Sequence, residues 1–222
     1  MKIKIELPTN LAGIELRQYQ KFLEDIKGIE DNSIIEQKMA QYFCNIKLDD
    51  VYSLKISDVN KINDRINTLL DQKTFNLHQT FKLGGVEFGF IPNLEDMTLG
   101  EYIDLDNYIG DWSNMHKAMA VLYRPITKKK RAWWSFGKRK EFQYKIEEYK
   151  GAITYAEVMK YAPLDVVLGA SFFLLSLSKI LLNSTQNYLE ENNKMMMGLV
   201  QKHNLVKSGD GTVQSMHLQK EI

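Results

Sequence analysis

Hydrophobic residues in the first third of the chain recur at the spacing of amphipathic helices. The first helical face carries Leu16, Tyr19, Phe22, Leu23 and Ile26. Gly28 predicts the end of this helix, a second apolar face begins near Ser33, and Ser57-Asp58 is placed to cap a third helix. The intervening Leu48-Asp49-Asp50 predicts a break. Because isolated helices of this length are marginal in water, the pattern predicts a helical N-terminal half around a shared core.

Two regions show strict alternation of apolar and polar residues, which is typical of strands. The run from Ile3 to Leu7 predicts a short strand that Pro8 closes. Further on, Gly84-Gly85 separates two alternating runs and predicts a hairpin, because a type I′ turn needs positive φ at both central residues. The apolar residues of these runs are Phe81, Leu83, Val86, Phe88 and Phe90. No lysine or Ser/Thr follows the glycines to complete a phosphate-binding loop, so we favour the hairpin.

Two pairs of residues have the form of a capping box at the start of a helix. Thr98 and Glu101 are spaced so that each side chain can satisfy a backbone N–H, and they predict a helix over residues 99–105. Thr154 and Glu157 repeat this spacing and predict another helix start.

Two longer helices are predicted from their apolar content. Residues 111–123 carry one apolar stripe, and this helix should end before Pro125. Pro163 opens the second helix, residues 164–182, which is apolar nearly all round and is expected to be the most buried element of the fold. Only thirteen residues separate its two charged residues, a rise of about 20 Å against a hydrocarbon core of about 30 Å. A membrane span is therefore not favoured.

These elements predict an α+β fold that is mainly α-helical, with two short β-hairpins packed on a buried C-terminal helix. We expect residues 1–182 to form one mainly helical globular domain and residues 183–222 to form a polar helical extension and tail. Within the extension, Met195, Met196 and Met197 are apolar and adaptable. They suit the groove of a partner protein as well as packing at the end of the preceding helix.

Composition and candidate chemistry do not favour an enzyme. The net charge of +1 gives no global field for nucleic acid or a membrane surface. The single cysteine, Cys44, excludes a disulfide within the chain and a cysteine-built zinc site. No set of nucleophile, base and orienting group and no P-loop occurs, so we predict neither a catalytic site nor a cofactor. The N-terminus lacks the apolar core of a signal peptide, which leads us to expect an intracellular setting.

The acidic residues between Glu95 and Asp111 do not match a metal-binding motif. Asp104-x-Asp106 resembles the opening of a calcium loop, but Tyr108 and Ile109 then stand where the loop needs a ligand and a glycine. We expect these carboxylates at helix starts and on solvated faces. His116 has no second histidine or cysteine one turn away, so we expect it to pack or to hydrogen-bond rather than to bind a metal.

A basic, aromatic segment between two alternating runs is the strongest candidate for a binding site. The runs YRPIT and FQYKIEEY predict strands, so the segment should form the tip of a second hairpin. Its basic residues are Lys128, Lys129, Lys130, Arg131, Lys138, Arg139 and Lys140, and its aromatic residues are Trp133, Trp134 and Phe136. This combination suits a partner protein, nucleic acid or an anionic membrane surface. We favour a protein, because the rest of the chain carries a net negative charge and offers no wider basic surface.

The order of several motifs resembles that of tailed-bacteriophage morphogenesis proteins. The motifs lie within roughly residues 1–182 and read LPTNLAGIELRQYQKFL, FGFIPNL, LGEYIDLDNYI, NMHKAMAVLYRPI, YKIEEY and AEVMKYAPLDVVLGASFF. Among such phage proteins, the sequence is most similar in this respect to tail assembly chaperones and to virion structural proteins encoded near them.

The resemblance implies a non-enzymatic role in phage assembly. A tail assembly chaperone coats the tape measure protein while tail tube subunits polymerise around it, so tape measure or tube proteins would be the partners, in the host cytoplasm. The alternative is a component of the virion, such as a head, connector or packaged protein. That component would contact neighbouring subunits or DNA through residues 128–140. Both alternatives are compatible with an oligomer.

Overall fold

The computed structural model describes residues 5–72, 74–129, 144–180, 183 and 186. The chain forms two compact units, Met1–Phe173 and Leu174–Ile222, and the surfaces considered below belong to the first. The fold is mainly helical with one small antiparallel sheet, which confirms the predicted α+β class.

Helices precede, separate and follow the strands along the chain. The helices are α1 (Leu16–Asp25), α2 (Asn32–Phe43), α3 (Leu48–Tyr52), α4 (Ile56–Leu70), α5 (Leu99–Tyr108), α6 (Met115–Leu122) and α7 (Ile153–Met159). A further helix, α8, covers residues 164–180. The strands are β1 (Thr80–Leu83), β2 (Val86–Phe90), β3 (Tyr123–Lys129) and β4 (Tyr144–Ile146). They form a sheet in the order β1-β2-β3-β4, and each neighbouring pair is antiparallel.

The N-terminal helices share one core, as their apolar faces predict. Phe22 of α1 lies against Phe43 of α2, with 5.0 Å between the ring centroids. Ile66 of α4 is fully buried in the same cluster, and so is Leu164 at the start of α8. Burying one such side chain contributes roughly 1.5–3 kcal/mol. These short helices are therefore held by their shared core rather than by helix propensity.

Two predictions for the N-terminal region are wrong. Residues 5–7 of the predicted strand are not in a strand, because alternation alone does not supply a neighbouring strand with which to hydrogen-bond, and residues 3 and 4 lie outside the described residues. Leu48-Asp49-Asp50, predicted as a break, begins α3 instead. Val51 anchors this short helix in the core with an exposure of 3%. The two aspartates lie in its first turn, where the helix dipole favours negative charge.

The predicted caps are confirmed at one position and wrong at two. The capping box is present at Thr98, whose backbone N–H donates to Glu101 Oε2 at 2.7 Å and whose hydroxyl accepts from the Glu101 N–H at 3.2 Å. Helix α4 has Lys55 as its N-cap, so Ser57 lies inside the first turn. Thr154 likewise lies inside α7, which has no side-chain cap. Each helix therefore begins one residue before the serine or threonine that was predicted to cap it.

The glycine pair forms the predicted hairpin between β1 and β2. Gly84 and Gly85 have φ values of 56° and 80°, the left-handed conformation that two-residue hairpin turns require. Strands β3 and β4 are also antiparallel neighbours, as the second predicted hairpin requires. The tip between them, residues 130–143, lies outside the described residues.

Helix α6 is buried over nearly its whole length, because it packs between α5 and α7. Every residue except Lys117 is buried. The prediction that the last helix would be the most buried element is wrong, since Phe172 of α8 is 38% exposed and Leu175 is 69% exposed. The helix ends at Leu122, one residue earlier than predicted, because Tyr123 already pairs with β2 in the sheet.

Replacing Gly89 by alanine should destabilise the fold by about 1–3 kcal/mol, the usual cost of overpacking. A Cβ at Gly89 would lie 2.5 Å from Cε2 of Tyr144. This ring cannot easily move aside, because its hydroxyl donates to the carbonyl oxygens of Gln79 and Phe90, both at 2.9 Å. Gly110→Ala is the control, since an added Cβ there meets no atom within 4 Å. Urea unfolding measures both variants, and equal stabilities would show that Tyr144 adapts.

Candidate partner-binding surface

The stem of the predicted basic hairpin is part of the sheet. Lys128 of β3 is the Cα partner of Lys145 on β4, and Lys129 is the partner of Tyr144. All three lysines are exposed. The Lys129 ammonium lies 2.6 Å from a carboxylate oxygen of Glu87 on β2. The stem therefore presents three cations on the surface, and one of them is tied to the neighbouring strand.

Most of the predicted site residues lie outside the described part of the chain. Among the seven basic residues, Lys128 and Lys129 are described. The other predicted site residues lie outside that part, so their roles in binding stay predictions. They are Lys130, Arg131, Trp133, Trp134, Phe136, Lys138, Arg139, Lys140, Met195, Met196 and Met197.

A buried ion pair holds the strand that leads to the stem. Arg124 Nη2 on β3 lies 2.5 Å from Oε1 of Glu101 on α5, and the two residues are 7% and 3% exposed. The other carboxylate oxygen of Glu101 accepts from the backbone N–H and the hydroxyl of Thr98, at 2.7 and 2.8 Å. Glu101 is thus at a helix start, as expected, but the prediction that these carboxylates occupy solvated faces is wrong for it.

Tyrosine hydroxyls extend this contact to the segment that follows β4. The Tyr149 ring lies under the Arg124 guanidinium, 5.6 Å from its centroid, and the Tyr149 hydroxyl donates to Asp104 of α5. Burial is the largest cause that raises the pKa of Tyr149, and the hydrogen bond to Asp104 raises it further. The Tyr149 hydroxyl therefore remains a neutral donor. Tyr155 of α7 similarly donates to Glu147, directly after β4. Both strands of the stem are therefore tied to helices.

One helix near this ion pair exposes large apolar side chains. On α5, Leu99, Tyr102 and Ile103 are 74%, 60% and 48% exposed. Their spacing of three and four residues places them side by side, and we call them the α5 apolar face. This surface could not be predicted from the sequence, because an apolar stripe on a helix usually faces the core.

His116 is buried on α6 with an exposure of 8%, and its Nδ1 lies 3.1 Å from Gln20 Nε2. The same Gln20 nitrogen also donates to the carbonyl oxygen of Trp112 at 2.7 Å, so Gln20 links α1 to the start of α6. Burial is the largest cause that lowers the pKa of His116, and the charges of Lys160 and Lys117 lower it further. These contacts agree with the hydrogen-bonding role that was predicted.

Over the described ranges, no group of three or more histidine, cysteine, aspartate or glutamate side chains is arranged to hold a metal ion. Nor does any helix in that part of the chain have the length and apolar character needed to cross a membrane.

No protein-family model matches this chain, and no curated protein or solved structure matches it either.

Proposed function

We propose that this protein is a non-enzymatic phage assembly protein that contacts other proteins through its basic hairpin. By basic hairpin we mean β3, β4 and residues 130–143 between them. The observation that supports the proposal is the anchored stem. Lys128, Lys129 and Lys145 are exposed on strands that the Arg124–Glu101 ion pair and the tyrosine contacts tie to neighbouring helices.

An anchored stem favours binding because less conformational freedom is lost when a partner docks. In the sequence the stem leads to Trp133, Trp134 and Phe136, and aromatic side chains of this kind dominate the energy of many interfaces. The surrounding lysines and arginines suit the rim, where charges speed association and select partners but add little affinity.

The order of motifs supports a more specific form of the proposal, in which the protein is a tail assembly chaperone. Its partner would then be the tape measure protein or the tail tube protein, and it would act in the host cytoplasm before particles are complete. The alternative is a virion component, and the specific observation in its favour is the exposed pair of Lys128 and Lys145 at the stem, which could face DNA phosphates.

Purification from infected cells tests the proposal and separates the two forms. A tail assembly chaperone should co-purify with the tape measure or tube protein from a lysate taken before release, and mass spectrometry should not detect it in finished particles. A virion component should be retained in those particles at a fixed ratio to the capsid or tail subunits. Recovery with no phage structural protein from either sample would contradict both forms.

A further inference from the structure

We infer that the α5 apolar face receives the basic hairpin of a second copy of this chain. This inference goes beyond the proposed function. It rests on that function in one respect, which is that the basic hairpin contacts protein. It requires a surface that the described part of the chain leaves uncovered and a matching chemistry on the hairpin.

The α5 apolar face meets the first requirement. Single exposed apolar residues are common on protein surfaces, but here three large ones lie within a helical turn and a half. Leu99 is 74% exposed and Tyr102 is 60% exposed, so the described part of the chain covers neither of them. Asp106, also exposed, follows Ile103 by three residues and so lies next to the apolar side chains on the helix.

The charge around α5 is complementary to that of the basic hairpin. From residue 83 to residue 116 the sequence contains no lysine or arginine. The acidic residues in this range are Glu87, Glu95, Asp96, Glu101, Asp104, Asp106 and Asp111. Conversely, residues 128–140 contain seven basic residues and no acidic one. The α5 apolar face therefore lies in an acidic region, and the aromatic residues of the hairpin lie in a basic one.

Among the described residues, ion pairs compensate part of the charge of the acidic region. Glu87 is paired with Lys129 and Glu101 with Arg124. Asp104 accepts from the hydroxyl of Tyr149, which brings no opposite charge. A cationic partner that approached α5 would therefore gain electrostatic attraction in addition to apolar contact, and salt would weaken that attraction.

The same contacts fix how the two complementary surfaces are presented. The ion pair between Glu101 and Arg124 joins α5 directly to β3, so the receiving helix and the stem of the donating hairpin are held together in every copy. Identical chains that join through two different surfaces either exchange their hairpins reciprocally in a closed two-fold dimer or associate head to tail as an open row or a ring.

Three variants and one mixture test this inference by sedimentation velocity. The face variant is Leu99→Ser with Tyr102→Ser, and the hairpin variant is Trp133→Ala with Trp134→Ala. The control variant is Tyr52→Ser with Ile56→Ser, which removes the same kinds of side chain at positions 65% and 80% exposed elsewhere. Circular dichroism should show that all three are folded.

The wild type and the control variant should form larger species as the concentration rises, and less so at high salt. The face variant and the hairpin variant should each associate at least about tenfold more weakly, because each lacks one of the two surfaces. An equal mixture of the two should form a one-to-one dimer and nothing larger, since the intact face of one molecule can bind only the intact hairpin of the other.

Three results would overturn the inference. The first is a wild type that stays monomeric at every concentration, and the second is a face variant that associates as the wild type does. The third is a hairpin variant that associates by itself while the mixture forms no one-to-one dimer, which would indicate that two α5 faces pair with each other. None of these results bears on co-purification with phage proteins, so the proposed function would remain to be judged by its own experiment.

Discussion

Replacing Glu101 by alanine should lower the free energy of unfolding by about 3–5 kcal/mol, the usual cost of removing one member of a buried ion pair. The substitution would leave the Arg124 guanidinium, 7% exposed, without the carboxylate that lies 2.5 Å away. It would also remove the acceptor of two hydrogen bonds from Thr98 at the start of α5. Because the pair joins α5 to β3, the loss should affect the sheet as well as the helix.

Chemical denaturation of matched variants separates the charge from the packing. The double variant Glu101→Leu with Arg124→Met should be more stable than Glu101→Ala, because it leaves no buried charge without a partner. Lys61→Ala serves as the control, since Lys61 Nζ is 3.4 Å from Asp58 in a surface pair that contributes at most about 1 kcal/mol. A loss for Glu101→Ala as small as that for Lys61→Ala would show that water reaches the buried pair.

Replacing Gly169 by alanine should cost roughly 3 kcal/mol, although glycine to alanine in a helix would otherwise gain about 1 kcal/mol. A Cβ at Gly169 would lie 2.2 Å from the backbone oxygen of Asn76 and 3.0 Å from its carbonyl carbon. Backbone atoms cannot rotate away as the end of a side chain can. The steric cost therefore exceeds the gain in helix propensity, and the residues just before β1 must shift away from α8.

Gly100 in α5 provides the matched control for this substitution. It is also a helical glycine, but the nearest atom to an added Cβ is Tyr149 Cε1 at 4.0 Å, an ordinary van der Waals distance. Gly100→Ala should therefore be neutral or slightly stabilising in thermal unfolding. If both alanine variants gained stability, the close approach of Asn76 to α8 would be contradicted.

Local patterns in the sequence were sufficient to predict the elements that depend on local chemistry. Gly84 and Gly85 allow the positive φ values of a tight turn, so the first hairpin could be placed without knowledge of the rest of the fold. Thr98 and Glu101 form their capping box within four consecutive residues. The apolar stripe of α1 likewise identified the side that packs in the core, since Phe22 is 5% exposed.

Features that depend on distant residues could not be predicted in this way. The apolar composition of α8 suggested complete burial, but Phe172 and Leu175 are exposed, because burial depends on which distant elements cover a helix. The requirement for glycine at position 89 comes from Tyr144, which is 55 residues away along the chain. Residues 5–7 alternate like a strand but lack a strand to pair with.

The candidate site shows the same division. The basic hairpin could be proposed from the charge and aromatic content of one segment, and strands β3 and β4 were predicted correctly at its base. The ion pair that anchors this hairpin could not be predicted, because Glu101 and Arg124 are far apart in sequence and acidic residues near a helix start usually face solvent. The α5 apolar face was missed for the opposite reason, since an apolar stripe is usually buried.

Co-expression with the tape measure protein tests most directly the central claim, which is that the basic hairpin contacts protein through its aromatic residues. We expect the wild type to keep the tape measure protein in the supernatant. Trp133→Ala with Trp134→Ala should abolish most of this effect, whereas changing the seven basic residues of the segment to serine should retain most of it, because rim charges contribute little to affinity. The claim would be contradicted if the tryptophan variant behaved like the wild type and the serine variant alone lost the effect, together with its binding to DNA at physiological salt.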